Sequence, residues 1–299
     1  MKLLTFRRGT SLAVGALLSD DEVVDVGSTL GMDNLTVRAI LAAGLEGREW
    51  VRRAIAAAKQ RLRLDWLALS APIPDPLKFF GLGFSYRAHV EEIRAKMPQM
   101  VFPNHQVWFN KQVSCVNGPF EPIDKPAVSD QLDYEGELAV VIGRRCRHVR
   151  REDAASVIGG YMVCNDVSVR DWQMRSPTAT LGKSFDTHGP MGPWLTLDMS
   201  LADAHRRQLR TLVNGEVRQN GNTNDFIYSI GEMIEELTTV CTLEPGDILA
   251  TGTPSGVGAV MSPPQFLRPG DVVRVEIDGL GAIENRVAQE SNTVRPCIR

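Results

Sequence analysis

The chain has 299 residues, 43% hydrophobic and 23% charged, an ordinary globular composition that suits one large domain or a large one with a smaller companion. A chain of this length buries about 75% of its unfolded surface, which excludes disorder and coiled coil. With 33 Lys and Arg against 36 Asp and Glu the net charge is −3, and no dense basic run exceeds short clusters such as Arg144-Arg145-Cys146-Arg147, so nucleic acid is not an expected partner.

Residues 12–18 are apolar, but they follow Arg7 and Arg8 and run directly into Ser19-Asp20-Asp21-Glu22 with no small-residue cleavage site, so a signal peptide is not expected. No run approaches the roughly 20 apolar residues that span a bilayer. The 5 cysteines (115, 146, 164, 241, 297) are scattered and form no CxxC pair, which points away from a disulfide framework or structural zinc and toward a reducing cytoplasm.

In chain order, residues 1–7, 11–18 and 22–25 read as a small antiparallel meander, separated by Arg8-Gly9-Thr10 and Ser19-Asp20-Asp21. A helix capped by Asp33 or Asn34 should run to Ala43 and stop at Gly44, with a second over 47–64. Pro72, Pro74 and Pro76 at alternate positions force an extended connector. A boundary near residue 73 is therefore expected, with a small domain over 1–73 and a catalytic one over 74–299.

Beyond it, strands are predicted at 79–85, 107–110, 138–142, 161–165, 193–197, 210–213, 247–251 and 272–277, with helices only at 86–97, 151–157 and 230–240. Asn214-Gly215 is a two-residue hairpin turn, and Pro245-Gly246-Asp247 and Pro269-Gly270-Asp271 are recurring turns that launch strands. Helices this few do not alternate with the strands, so a doubly wound nucleotide fold is disfavoured and an α+β, mainly β architecture is expected.

The segment Asp133-Tyr134-Glu135-Gly136-Glu137-Leu138-Ala139 carries the most chemistry. In a strand, Glu135 and Glu137 point to one face at i and i+2, and Gly136 leaves the other face bare. They precede an apolar run, so burial disfavours their charge unless something positive compensates. Asp166 ends another apolar run; if the two strand ends are neighbours, three carboxylates converge into an oxygen-only site for Mg2+, Mn2+ or Ca2+. Alternating glutamates equally line solvated strand faces.

His89 and Glu92 are three apart at the start of a predicted helix, where the carboxylate can orient the imidazole as a general base; the same spacing also serves surface ion pairs. Gly81-x-Gly83 lacks the third glycine of a dinucleotide fingerprint, and Lys183 between Gly182 and Ser184 is not a P-loop lysine, because Pro177 stands where the first glycine would be. The 250–258 loop, rich in Gly, Thr and Ser, offers backbone N–H groups to an anionic ligand or is an ordinary turn. His148 and His205, set among arginines, read as exposed, while His188 is ambiguous, with a turn role suggested by Gly189-Pro190.

The order of these segments, from Tyr86-x-x-His89-x-x-Glu92 through 133–139, Asn165-Asp166-Val167-Ser168-Val169-Arg170-Asp171-Trp172-Gln173 and Gly182-Lys183-Ser184-Phe185-Asp186 to Thr251-Gly252-Thr253-Pro254, resembles the fumarylacetoacetate hydrolase family over residues 75–288. The resemblance implies that family's mixed β-sandwich roll, a homodimer, and a smaller N-terminal domain. It implies Glu135, Glu137 and Asp166 as ligands of Mg2+ or Mn2+, with Ca2+ as the other hard cation. It makes His89 and Glu92 a water-activating lid dyad, Lys183 a partner of the substrate's oxyanion, and Tyr86, Arg170, Gln173 and Thr253 substrate contacts. Two departures stand out: Ser85 where small members carry Asn before the Tyr, and the long, apolar insert at 97–106.

The expected activity is metal-dependent hydrolytic C–C cleavage of a β-diketo acid, with no membrane or nucleic-acid partner. The apolar insert points to a substrate with a hydrophobic or aromatic-derived portion. The same metal enolate serves an isomerase, tautomerase or decarboxylase of a 2-hydroxy-dienoate or 2-oxo diacid. A non-catalytic metal-binding homologue is the alternative of another class.

Overall fold

In the computed structural model, residues 1–291 are described; Cys297 and the end of the predicted catalytic domain lie outside the described residues. The fold is mixed and sheet-dominated, as expected. The main sheet runs, in spatial order, through the strands Leu62–Arg63, Glu22–Asp25, Ser11–Leu17, Lys2–Arg8, Gly189–Thr196, Ile158–Asn165, Gly136–Ile142, Ile248–Ala250, Phe79–Gly83 and Val107–Lys111. A five-stranded sheet packs on it, ordered Glu216–Asn222, Gln208–Val213, Val272–Ile277, Gly281–Gln289 and Ile123–Lys125.

The N-terminal meander forms as expected, and its first strand continues the main sheet by pairing Lys2 with Thr196 and Leu3 with Leu195. The first predicted helix is shorter, Val37–Ala42, because Thr36 rather than Asp33 or Asn34 caps it, accepting the N–H of Ala39 at 3.0 Å. The second ends at Ala57, since Leu62–Arg63 pairs as a strand with Glu22–Val23 instead. Residues 151–157 give a 3₁₀ turn, Arg151–Ser156. Ile230–Val240 is a helix as predicted, started by a capping box between Ser229 and Glu232.

The strand Gly136–Ile142 is buried on both faces. Leu138, Val140 and Ile142 pack with Val273, Val275 and Ile283 of the five-stranded sheet and with Ile234 and Leu237 of the helix. Ala139 and Val141 pack with Val37, Ile40 and Val51 of the N-terminal helices. Two covers explain why this strand reads as a continuous apolar run rather than an alternating one. The second sheet comes close at Gly136, where a Cβ would stand 2.2 Å from Thr211 Oγ1.

Candidate active site

The register of the two central strands builds the site. Gly136 pairs with Asn165 and Glu137 with Cys164, which sets Asp166 beside Glu135; the Asp166 N–H donates to the Glu135 carbonyl at 2.8 Å. Glu135 is held from the other side, its N–H donating to Asn165 Oδ1 at 3.0 Å. Glu135, Glu137 and Asp166 are all buried and offer oxygens within 4.8 Å of one another. That span can be bridged by one hard cation at about 2.0–2.5 Å from each oxygen.

Positive charge compensates two of the three. Lys183 Nζ lies 2.6 Å from both Glu135 Oε2 and Asp166 Oδ2. Arg170 sits 2.6 Å from Glu135 Oε1 and 2.8 Å from Asp133 Oδ2, and it donates to Gln173 Oε1 at 3.0 Å. Lys111 lies 2.7 Å from Asp166 Oδ1 and also donates to the Lys183 carbonyl. Burial alone would raise the Glu135 carboxyl, but Lys183 and Arg170, helped by nearby His89, hold it well below the usual carboxylate range.

Glu137 differs. Among the described residues it has no ion-pair partner, and its Oε2 accepts only the Gly252 N–H, at 2.7 Å. Burial, then Asp166 and Glu135, push its carboxyl well above the ordinary value. Buried Tyr86 adds a hydroxyl with no partner, and its phenol is raised by burial and by the charge of Glu137. Four buried carboxyl groups, Asp133 included, thus meet three cations, Lys111 and Lys183 buried and Arg170 partly exposed, which leaves an excess of one acid at Glu137. An all-oxygen donor set with that excess fits a hard divalent ion.

The His89–Glu92 pair forms on the helix Arg87–Lys96, with Nδ1 3.0 Å from Glu92 Oε2. A proton on Nδ1 directed at that carboxylate leaves Nε2 as the acceptor nitrogen. The helix lacks a cap of its own; Asp225 Oδ2 accepts the Ala88 N–H at 2.9 Å and so docks it. Glu92 also reaches outward, Oε1 accepting the Gly256 N–H at 3.0 Å.

The 250–258 loop read either as a donor of N–H groups to an anion or as an ordinary turn, and in the structure several of its N–H groups serve acids of the chain itself. Gly252 donates to Glu137, Gly256 to Glu92, and Gly258 and Ala259 to Asp133 at 2.8 and 2.9 Å, so the loop's anions are the protein's own carboxylates. Thr253 Oγ1 donates to the Gly136 carbonyl at 2.9 Å and accepts from Gln219 Nε2 at 2.7 Å, so its hydroxyl braces the framework. The apolar insert folds back on the chain, with Phe102 edge-on to Phe84 and under Arg94.

His205 departs from its expected exposure: it is half-buried and its Nε2 accepts the Ile230 N–H at 3.2 Å. His188 closes a turn, its N–H donating to the Phe185 carbonyl at 3.1 Å, and is fully buried with Nε2 2.8 Å from the Asp124 carbonyl. Sequence reasoning gave no role to Lys111, Asp133 or Gln219. Lys111 ends a strand like any solvated lysine, and its carboxylate partner lies 55 residues away, so nothing local marks it. Asp133 had a signal, its place in the acidic segment itself.

Comparisons with known proteins agree with this geometry. The family model described as "Fumarylacetoacetate (FAA) hydrolase C-terminal" matches residues 78–288. The chain is 37% identical over 292 residues to "Oxaloacetate tautomerase fahd2, mitochondrial" of Xenopus laevis, covering 96% of this chain and 90% of that protein. It is 43% identical over 226 residues to "Oxaloacetate tautomerase YisK" of Bacillus subtilis, covering 75% and 74%. Among solved structures, the fumarylacetoacetate hydrolase of Exiguobacterium antarcticum superposes with a TM-score of 0.81 at 33% identity, over 97% of this chain and 100% of that one. The maleylpyruvate hydrolase of Sphingobium, solved with manganese(II) and pyruvate, gives 0.80 at 30%, over 97% and 100%. Matched in sequence over most of its length and in fold over nearly all of it, the chain belongs to the fumarylacetoacetate hydrolase family.

Proposed function

We propose that the protein is a tautomerase that interconverts the enol and keto forms of a small 2-oxo acid of the oxaloacetate class, with Mg2+ or Mn2+ held by Glu135, Glu137 and Asp166. The observation that carries this reading is the Nε2 of His89, which has no hydrogen-bond partner among the described residues and is oriented through Nδ1 by Glu92. The likeness to two oxaloacetate tautomerases at 37% and 43% identity supports it.

When bound, the ion withdraws charge from the substrate's oxygens and favours the enolate. The chain's own residues handle the proton. One proton leaves the enol hydroxyl and one arrives on the adjacent carbon; His89 Nε2 accepts and returns it, and Glu92 keeps the ring in the tautomer that allows this. Lys183 and Arg170 supply positive charge beside the ligands, where a dicarboxylate would need it. No water is consumed and no carbon–carbon bond breaks.

Hydrolytic C–C cleavage, the activity expected from the sequence, is the second reading. The likeness to the Sphingobium maleylpyruvate hydrolase favours it, at a lower 30% identity. An aromatic-derived portion of the substrate belongs to this second reading. A homodimer in the cytoplasm belongs to the same proposal. All 4 cysteines among the described residues are free thiols, as a reducing compartment would keep them.

The test is product identity. Freshly dissolved enol-oxaloacetate and an acylpyruvate are each given to Mn2+-loaded protein and followed by proton NMR. Accelerated conversion to keto-oxaloacetate, without pyruvate release and with the acylpyruvate intact, is expected. Cleavage of the acylpyruvate with no effect on oxaloacetate would replace this reading with the hydrolytic one.

A further inference from the structure

Gln219 is fully buried in a strand, Glu216–Asn222, whose other residues are mostly exposed or half-buried. Its amide is fully engaged. Oε1 accepts the Gly136 N–H at 2.9 Å, and Nε2 donates to Thr253 Oγ1 at 2.7 Å and to the Pro254 carbonyl at 2.9 Å. Gly136 is the link between two of the candidate ligands, and the loop bearing Thr253 and Pro254 also bears Gly252, whose N–H holds Glu137. Thr253 closes the ring by donating to the Gly136 carbonyl at 2.9 Å.

The strand is shaped for this contact. Its register with Gln208–Val213 runs Thr211 to Gln219 and then Leu212 to Val217, leaving Arg218 as the extra residue of a bulge. A bulge re-aims the side chain beside it, and bulges concentrate next to active sites. The backbone of the bulge also presses on the loop, since a Cβ at Gly256 would stand 2.0 Å from the Arg218 carbonyl. The Gln219 amide thus hydrogen-bonds the second sheet to both the ligand segment and the loop.

We propose that Gln219 is a positioning residue: it locks the Glu135–Gly136–Glu137 segment against the 251–259 loop and so sets how tightly the three carboxylates hold a divalent ion. The inference rests on the reading of Glu135, Glu137 and Asp166 as metal ligands. It does not require oxaloacetate to be the substrate. Glu135 and Glu137 flank a single residue, so a small rotation of the backbone at Gly136 displaces both carboxylates. With Gln219 gone, the Gly136 N–H and the Pro254 carbonyl lose their partner inside the protein, and segment and loop can relax independently.

The test is a calorimetric Mn2+ titration of the full chain without substrate, on wild type, Gln219→Leu and Thr211→Val. Thr211 is the control: it pairs with Gln219 across the strands, and its buried hydroxyl has no partner. Loss of a residue that orients metal ligands costs about 10–100-fold in affinity. Gln219→Leu should weaken Mn2+ binding by at least about tenfold, broaden the Mn2+ electron paramagnetic resonance spectrum and lower kcat more than it raises KM. Thr211→Val should change none of these. If the leucine variant melts below assay temperature, Gln219→Glu keeps the volume and the Gly136 acceptor while removing both donations to the loop, and the same losses are expected. A folded variant that binds Mn2+ like wild type would overturn the inference, as would a wild type that binds no divalent ion. Wild type that binds Mn2+ but tautomerises no oxo acid would defeat the functional reading alone.

Discussion

Lys111 Nζ stands 2.7 Å from Asp166 Oδ1, and both side chains are wholly out of solvent. Removing one partner of a buried pair strands the other's charge, at a cost of about 3–5 kcal/mol. Here Lys183 still touches the other oxygen of Asp166, so Lys111→Met should fall at the low end, near 3 kcal/mol. Urea unfolding without metal checks this, and a loss below about 1 kcal/mol would show that Lys183 suffices alone.

Glu137→Gln should separate stability from binding. The wild-type side chain is a buried carboxyl with no ion pair among the described residues, and an amide of equal size removes the cost of its charge. Without metal, the variant is expected to melt at or above the wild-type temperature. With Mn2+ at about 100 times its Kd, wild type should gain roughly 2.7 kcal/mol and the variant far less. Paired thermal melts with and without Mn2+ read both effects; an equal gain in the two proteins would remove Glu137 from the ligand set.

His89→Ala should leave the ligands untouched and stop the proton transfer. A positioned acid–base group is worth about 10²–10⁴ in rate, so turnover should fall by that factor while Mn2+ affinity stays within about twofold. Glu92→Gln should lose less, since it keeps an acceptor for Nδ1 and perturbs mainly ring orientation. Wild-type turnover in His89→Ala would take the dyad out of the chemistry.

His188 gives the fold a pH dependence of its own. Burial lowers its imidazole to about 3, with Lys111 adding to the push against the bond to the Asp124 carbonyl. The unfolded histidine takes up its proton near pH 6.5, so the folded state, which stays neutral, loses ground as pH falls from 6.5 toward 3. The full effect is on the order of 5 kcal/mol and is absent above pH 7. Urea midpoints of wild type and His188→Gln, compared at pH 7.5 and 4.5, should show the difference between them shift in favour of the variant at the lower pH. A difference that does not change with pH would remove His188 as the source.

Much of the frame is legible in the sequence because its signals are local. The apolar run after Glu137, the Asn214-Gly215 turn and the helix Ile230–Val240 each carry their own pattern, and the order of the motifs carries the family. The three acids were legible only through the order of the motifs, since alternating glutamates alone suit a solvated strand face equally. What escaped was set by partners distant along the chain. Lys111 finds Asp166 from 55 residues away, and Gln219 finds Gly136 from 83. The strand of Gln219 is polar nearly throughout, so no hydrophobic period marks its one buried side chain. The 250–258 loop showed that it had N–H groups to give, but not that Glu137, Glu92 and Asp133 already receive them.

The most direct measurement is the rate of enol-to-keto conversion of oxaloacetate, followed by loss of enol ultraviolet absorbance, with the protein stripped by a chelator and then reloaded with Mn2+. The expected result is a stripped protein slower by at least about 100-fold, full recovery with Mn2+, and no recovery in Glu135→Gln or Asp166→Asn. A stripped protein that converts the enol as fast as the reloaded one would contradict a metal-centred site at these three carboxylates.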